Sequence, residues 1–208
     1  MKNEKFRIVF SIPVVLAIIA GGYYFFDRPL AAFCRNLSPQ FVDLFQIVTI
    51  FGVSTWYLVG SALLFLYFRH IAHRRILADR MLYLFSAVAA SGLIAIALKW
   101  LAGRWRPKVF IPEGLYGFHF FGVGYEQTSF PSGHAATVCS LAFVLSSILP
   151  SCRWLLYGFA VLVCASRVVI VSHYASDVVM GAYVGILSAF LLEKYPPFGN
   201  SVHDKRCP

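Results

Sequence analysis

The sequence predicts an all-α membrane protein, a polytopic bundle of six transmembrane helices with its N-terminus in the cytoplasm. Three observations carry this. First, 59% of the 208 residues are hydrophobic and only 13% are charged, where soluble domains run at about 25% charged. Second, six apolar runs punctuate the chain, at 8–26, 50–68, 81–98, 135–149, 154–171 and 178–192. Third, with the N-terminus inside, eleven of the eighteen Lys and Arg residues fall on the inner side, Lys2, Lys5, Arg7, Arg69, Arg74 and Arg75 among them. Cytoplasmic loops of membrane proteins carry such an excess.

The first run has a basic start and a small-residue triplet, Ala20, Gly21 and Gly22, as a cleaved signal would. Tyr23 to Phe26 extend it to spanning length, which favours a retained helix. Next, SPQFVDLFQIVTIFG opens with a Ser-Pro cap signal and sets Phe41, Leu44, Phe45 and Val48 at helical spacing, with Gln40, Asp43 and Gln46 elsewhere around the axis. That pattern predicts a helix lying on the outer leaflet, with a stretch of ordinary core helix as the alternative. The second and third runs flank RHIAHRR, a basic cluster in a short loop that reads as a topology signal in contact with anionic lipid, so the net charge of +9 does not argue for nucleic acid.

A long loop at 108–130 follows, with seven aromatic residues among its glycines, and reads either as an interfacial anchor or as a lid or substrate shelf. The fourth and sixth runs are shorter than the roughly 18 to 20 residues a span needs, so they must borrow flanking residues or sit where protein shields them. From Pro196, with Pro197 and Gly199, residues 196–208 read as a short disordered tail. No repeat or linker divides the chain, so 1–208 is one membrane domain. The five cysteines form neither a disulfide framework nor a CxxC metal site.

Ionisable residues at the ends of apolar runs are the informative ones. Lys99 and Arg106 leave the third run, His134 enters the fourth, Arg167 and His173 leave the fifth, and Asp177 precedes the sixth, so parity brings all six to the outer face. Each has a bland reading alone, such as a snorkelling Lys or a structural His. Together, three cations with few carboxylates nearby suit a multiply charged anion, and Arg matches phosphate oxygens with its fork. Pro131, Ser132 and Gly133 open a helix whose N–H groups would face that anion, and His134 follows, placed to exchange a proton with it.

Spacing constrains the geometry further. His173 and Asp177 are four apart, so on one helix the carboxylate takes the ring N–H and fixes the tautomer. Arg167 and His173 are six apart and point about 120° away from each other on a straight helix, so the chain must bend between them. Lys99 and Arg106 would lie about 10 Å apart on a continuous helix, and Gly103 with Pro107 argues that it unwinds first.

These residues fall in three ordered motifs. KWLAGRWRP (99–107) matches KxxxxxxRP, PSGH (131–134) matches PSGH, and SRVVIVSHYASD (166–177) matches SRxxxxxHxxxD. The chain therefore resembles the type-2 phosphatidic acid phosphatase family of integral membrane lipid phosphatases, which shares its site with vanadium-dependent haloperoxidases. The motifs cover 99–177 and the pattern of spans extends the likeness over most of the chain.

The resemblance implies that His173 is the nucleophile and becomes phosphorylated, that Asp177 orients it, and that His134 protonates the leaving group. It implies that Lys99, Arg106, Ser132, Gly133 and Arg167 bind the phosphoryl oxygens, with no metal and no cofactor. The expected enzyme hydrolyses a phosphomonoester or pyrophosphate of a lipid headgroup at the extracytoplasmic face of an inner or plasma membrane. Its substrates would be phosphatidylglycerophosphate, phosphatidic acid, undecaprenyl pyrophosphate or a lipid A phosphate. A lipid phosphotransferase has the same site with another acceptor. An anion transporter would share the basic site but has no need of two histidines, one of them paired to an aspartate.

Overall fold

The computed structural model describes residues 2–203. Among them the chain is helical almost throughout, with no strand and only isolated bridges at Arg104. The α-helices are α1 (Lys2–Gly21), α2 (Asp27–Arg35), α3 (Pro39–Ile50), α4 (Ser54–Leu66), α5 (Arg75–Ala102), α6 (Pro107–Glu113), α7 (Gly133–Ile148), α8 (Arg153–Val169), α9 (Ala175–Glu193) and α10 (Phe198–His203). A single wide turn at Gly22–Phe26 joins α1 to α2, and another, at Tyr67–Ile71, prolongs α4.

Among the described residues, five stretches are long and apolar enough to cross a membrane: Phe10–Arg35, Pro39–Ile71, Arg75–Ala102, Pro150–Val169 and Ala175–Glu193. The expected sixth span reaches this length, 19 residues, because Ala175, Ser176, Asp177 and Glu193 join it. The expected fourth span is α7, an apolar helix of 16 residues that falls short of it. Nine residues of α7 are buried, and its neighbours are α5, α8 and α9. A helix wrapped in protein is not bound to match the thickness of hydrocarbon. The outward faces elsewhere are apolar, with Leu93, Ile96, Trp154, Leu155 and Val161 all exposed.

Packing at the centre rests on small residues. On α9, a Cβ placed on Gly181 would collide with the Ser132 carbonyl oxygen, and one on Gly185 with the Ala136 carbonyl oxygen. The two backbones therefore approach closely, as small residues allow between helices. A second core, around Tyr83, Val88, Leu141, Val144 and Ala189, closes the other end, where the Tyr83 hydroxyl donates to the Ala189 carbonyl at 2.9 Å.

Helix ends follow local sequence. Pro39 starts α3 directly after Ser38, and the break at Phe51–Val53 sets α3 off from α4 over the stretch where a separate helix is expected. Gly103, at φ +46°, stops α5 before Arg106, so the helix does unwind between Lys99 and Arg106. α8 ends at Val169 and the chain reverses, with the Ser172 and His173 N–H groups both donating to the Arg167 carbonyl at 3.1 Å. That reversal is the bend which the spacing of Arg167 and His173 requires.

Within the stretch 196–208, expected as a disordered tail, the described residues include a short helix. Phe198–His203 form α10, Phe198 stacks on Tyr83 at 5.5 Å between centroids, and Val202 is buried in the same cluster. The turn at Pro196 and Pro197 leads into α10 and returns apolar side chains to the core, while the remainder of that expectation, 204–208, lies outside the described residues.

Candidate functional site

Four helix ends meet at one end of the bundle: the C-termini of α5 and α8 and the N-termini of α7 and α9. Ser132 caps α7 in an extended conformation, and its Oγ accepts the Ala135 N–H at 3.4 Å. Its backbone N–H donates to the Asp177 carbonyl at 2.9 Å, so it is not free for an anion, contrary to the expectation for that group. The N–H groups that open the first turn of α7 belong to Gly133 and His134, and such groups lack partners within their own helix. A Cβ on Gly133 would meet nothing within 4 Å, so open space lies in front of this helix end.

The three cations surround that end. Lys99 donates to the Thr128 carbonyl at 2.7 Å. Arg106 donates from Nε to the Tyr125 carbonyl at 2.7 Å and from Nη1 to the Ser172 carbonyl at 2.8 Å, while the Tyr125 ring covers its guanidinium at 3.9 Å. Arg167 donates from Nη1 to Thr49 Oγ1 of α3 at 2.5 Å, and its buried Nε has no hydrogen-bond partner. Among the described residues none of the three is ion-paired with a carboxylate, so their charge is directed at the shared space. Burial lowers the Arg106 guanidinium from its ordinary range, though an arginine so placed still holds its proton.

His173 is 3% exposed and stands 3.4 Å from Arg106 Nη1 through its Nε2. Its Nδ1 faces Asp177 Oδ2 at 3.6 Å. The expected pairing on one helix is corrected in two respects. His173 lies in the turn before α9, and only Asp177 is helical, at the third position, where its Oδ2 takes the Tyr174 N–H at 2.9 Å as half of a capping box. At 3.6 Å the contact is also longer than a hydrogen bond, so it is chiefly electrostatic. Burial first, with Lys99 and Arg106 adding to it and Asp177 opposing, pushes the His173 imidazole down to about 3, so the ring is neutral and its Nε2 lone pair faces the Arg106 guanidinium. His134 is half-buried and packs against Gly52, where a Cβ would land on its ring.

Every sequence-predicted site residue thus comes to this end of the bundle, with Lys99 and Arg106 also gripping the segment 125–128. Several partners escaped the sequence reading. Arg104 and Asp27, both fully buried, form an ion pair at 2.8 Å, and Arg104 also reaches Asp177 at 2.5 Å. Ser129 donates to Asp177 Oδ2 at 2.5 Å. The available signal was Asp27 itself, an acid at the end of an apolar run, since such a group needs a partner. Among the described residues no group of three or more His, Cys, Asp or Glu side chains has the arrangement of a metal site.

What the arrangement can do is bind a phosphoryl group against three cations and a helix N-terminus with a neutral imidazole behind it. Similarity to known proteins agrees. The family model of the PAP2 superfamily matches residues 80–199. A lipid A 1-phosphatase of Rhizobium etli is 31% identical over 83% of this chain and 78% of its own length. One of Rhizobium johnstonii is 31% identical over 87% of this chain and 79% of its own. Two crystal structures share the fold, each with a TM-score of 0.62: LpxE of Aquifex aeolicus, at 22% identity over 80% of this chain and 93% of that one, and a PAP2-type phosphatidylglycerolphosphate phosphatase of Bacillus subtilis, at 20% identity over 96% and 98%. The protein is a membrane lipid phosphatase, and the chain belongs to the PAP2 superfamily.

Proposed function

We propose that this phosphatase removes a phosphate monoester from a lipid A-type headgroup at the extracytoplasmic face of the membrane, through a phosphohistidine on His173. The observation that carries the chemistry is the neutral imidazole of His173, 3.4 Å from Arg106 through one nitrogen and 3.6 Å from Asp177 through the other. The choice among lipids is supported by the relatives named lipid A 1-phosphatases.

In this reading Lys99, Arg106, Arg167, the Ser132 hydroxyl and the Gly133 N–H hold the phosphoryl oxygens. Transfer of such a group needs preorganised positive charge more than covalent help. The His173 Nε2 lone pair forms the bond to phosphorus as the P–O bond to the lipid breaks, and His134 gives its proton to the departing oxygen. Asp177 stabilises the charge that the His173 ring acquires. Water then attacks phosphorus, His134 takes the water's proton, the P–N bond breaks, and phosphate leaves with His173 restored. The cations supply the charge a metal would otherwise supply, so turnover persists in EDTA.

The test compares His173→Ala and His134→Ala on a lipid A phosphate and on p-nitrophenyl phosphate, with acid-free quenching to trap phosphohistidine. His173→Ala abolishes turnover and trapping on both substrates. His134→Ala loses about 10² to 10⁴-fold on the lipid and much less on the aryl ester, whose leaving group needs no proton. Equal loss for His134→Ala on both substrates, or trapped phosphate in His173→Ala, refutes these roles. Full turnover on other phospholipids with none on lipid A phosphate refutes the substrate.

A further inference from the structure

Arg104 lies outside the phosphate cage, yet among the described residues it is the largest side chain with no exposure at all. Its Nη1 donates to Asp177 Oδ1 at 2.5 Å and to Ser176 Oγ at 2.7 Å, and its Nη2 donates to Asp27 Oδ2 at 2.8 Å and to the Tyr116 hydroxyl at 3.0 Å. Asp27 is held in turn by the Ser176 backbone N–H at 3.1 Å and by the Ser176 hydroxyl. Rings enclose the guanidinium: Tyr174 at 4.4 Å, Tyr23 at 5.0 Å, Phe118 at 5.3 Å and Tyr116 at 5.4 Å. A charge buried among aromatic side chains between two carboxylates is expensive, and an apolar side chain of similar size is often as stable. Fold stability alone therefore accounts poorly for this group.

What the group does to Asp177 is specific. Arg104 occupies Oδ1, which leaves Oδ2 to the Tyr174 N–H at 2.9 Å, the Ser129 hydroxyl at 2.5 Å and the face of His173. With both oxygens held, the carboxylate cannot rotate. Asp27 matters for charge: a lone Arg104 would neutralise Asp177, whereas one cation between two carboxylates leaves a net negative charge beside the ring that becomes cationic. We propose that Arg104, backed by Asp27, is the positioning residue that aims Asp177 at His173 and keeps its charge available. The inference rests on the reading of His173 as nucleophile. Arg104 itself touches neither the cage nor the space in front of Gly133.

A positioning role separates kcat from binding. Arg104→Met strands two buried carboxylates and is prone to misfold, so the informative variants are Arg104→Lys, which keeps the charge without the fork, and the double variant Asp27→Asn/Arg104→Met, which keeps the net charge of the triad. Each is purified in detergent, and kcat, KM, the inhibition constant of inorganic phosphate and the rate of phosphohistidine formation are measured. Loss of an orienting partner lowers activity by about 10- to 100-fold. The expected result is a fall of that size in kcat and in the rate of histidine phosphorylation, the same on lipid and aryl substrates, with KM and phosphate inhibition unchanged. A double variant that folds and keeps wild-type kcat overturns the proposal, and so does a loss that appears only as raised KM and weakened phosphate inhibition. His173→Ala, run alongside, distinguishes the two failures: if it still turns over, the nucleophile reading falls, and if it is inactive while the Arg104 variants are normal, only this inference falls.

Discussion

Gly185→Ala tests whether the contact between α7 and α9 aligns the site. The added Cβ would overlap the Ala136 carbonyl oxygen, and would stand 2.9 Å from the Ser140 nitrogen and 3.0 Å from the Ala136 carbonyl carbon. Ordinary contacts between such atoms begin near 3.5 Å, so the helices must part by roughly 0.5 to 1 Å. The obstacle is backbone on both sides and has no rotamer to change. Overpacking of this kind destabilises by about 1 to 3 kcal/mol. The same interface carries the bond from the Ser132 N–H to the Asp177 carbonyl at 2.9 Å, which ties the entry of α7 to the entry of α9. Stretched by that displacement it passes the limit of a hydrogen bond, and the Gly133 end shifts relative to His173. A misplacement near 1 Å costs about 10²-fold in rate. The assay is thermal unfolding in detergent together with kcat on a lipid phosphate. The control is Gly158→Ala on α8, where an added Cβ meets nothing within 4 Å and helix propensity improves by up to about 1 kcal/mol. Gly185→Ala lowers both the unfolding temperature and kcat, and Gly158→Ala lowers neither. Wild-type values of both quantities for Gly185→Ala would refute the alignment argument.

Gly133→Ala places a methyl group in open space, so thermal stability holds or rises while phosphatase activity falls by at least about tenfold as the anion's seat is narrowed. An unchanged kcat/KM for this variant would put the phosphate elsewhere. His173 supplies a pH dependence with a defined sign. The folded ring titrates at about 3 and the unfolded one near 6.5. Above pH 6.5 neither state is protonated; below it the unfolded chain gains a proton that the folded chain refuses, so stability falls as pH drops from 6.5 toward 3, by up to about 5 kcal/mol. Thermal unfolding across this range should steepen for wild type and flatten for His173→Asn. For the proposed extracytoplasmic placement of the site, a cysteine at Glu113 in a cysteine-free background reacts with an impermeant thiol reagent added to intact cells and one at Ala72 does not; the reverse pattern inverts the topology.

The sequence by itself determined that the chain is a bundle of apolar helices and which residues gather at one end of it, where the chemistry is proposed to lie. Long apolar runs must satisfy their backbone internally, and Ser38-Pro39, Gly103 and Ser132 mark ends through local conformational preferences that need no tertiary partner. The motif residues were legible for the same reason, because Lys99 to Arg106 and Arg167 to Asp177 act within short separations. Tertiary structure decided what depends on distant chain. The partner of Asp27 lies 77 residues away in Arg104, and Tyr83 meets the carbonyl of Ala189 across 106. No local pattern specifies which buried acid will face which buried base, because that depends on how whole helices cross. It also decided that His173 sits in a turn and not on α9, since the reversal at 170–174 satisfies its N–H groups on the Arg167 carbonyl. α10 was invisible for a related reason: a Pro- and Gly-containing end carries no periodicity, and only the apolar surface around Tyr83 gives Phe198 and Val202 a place to bury.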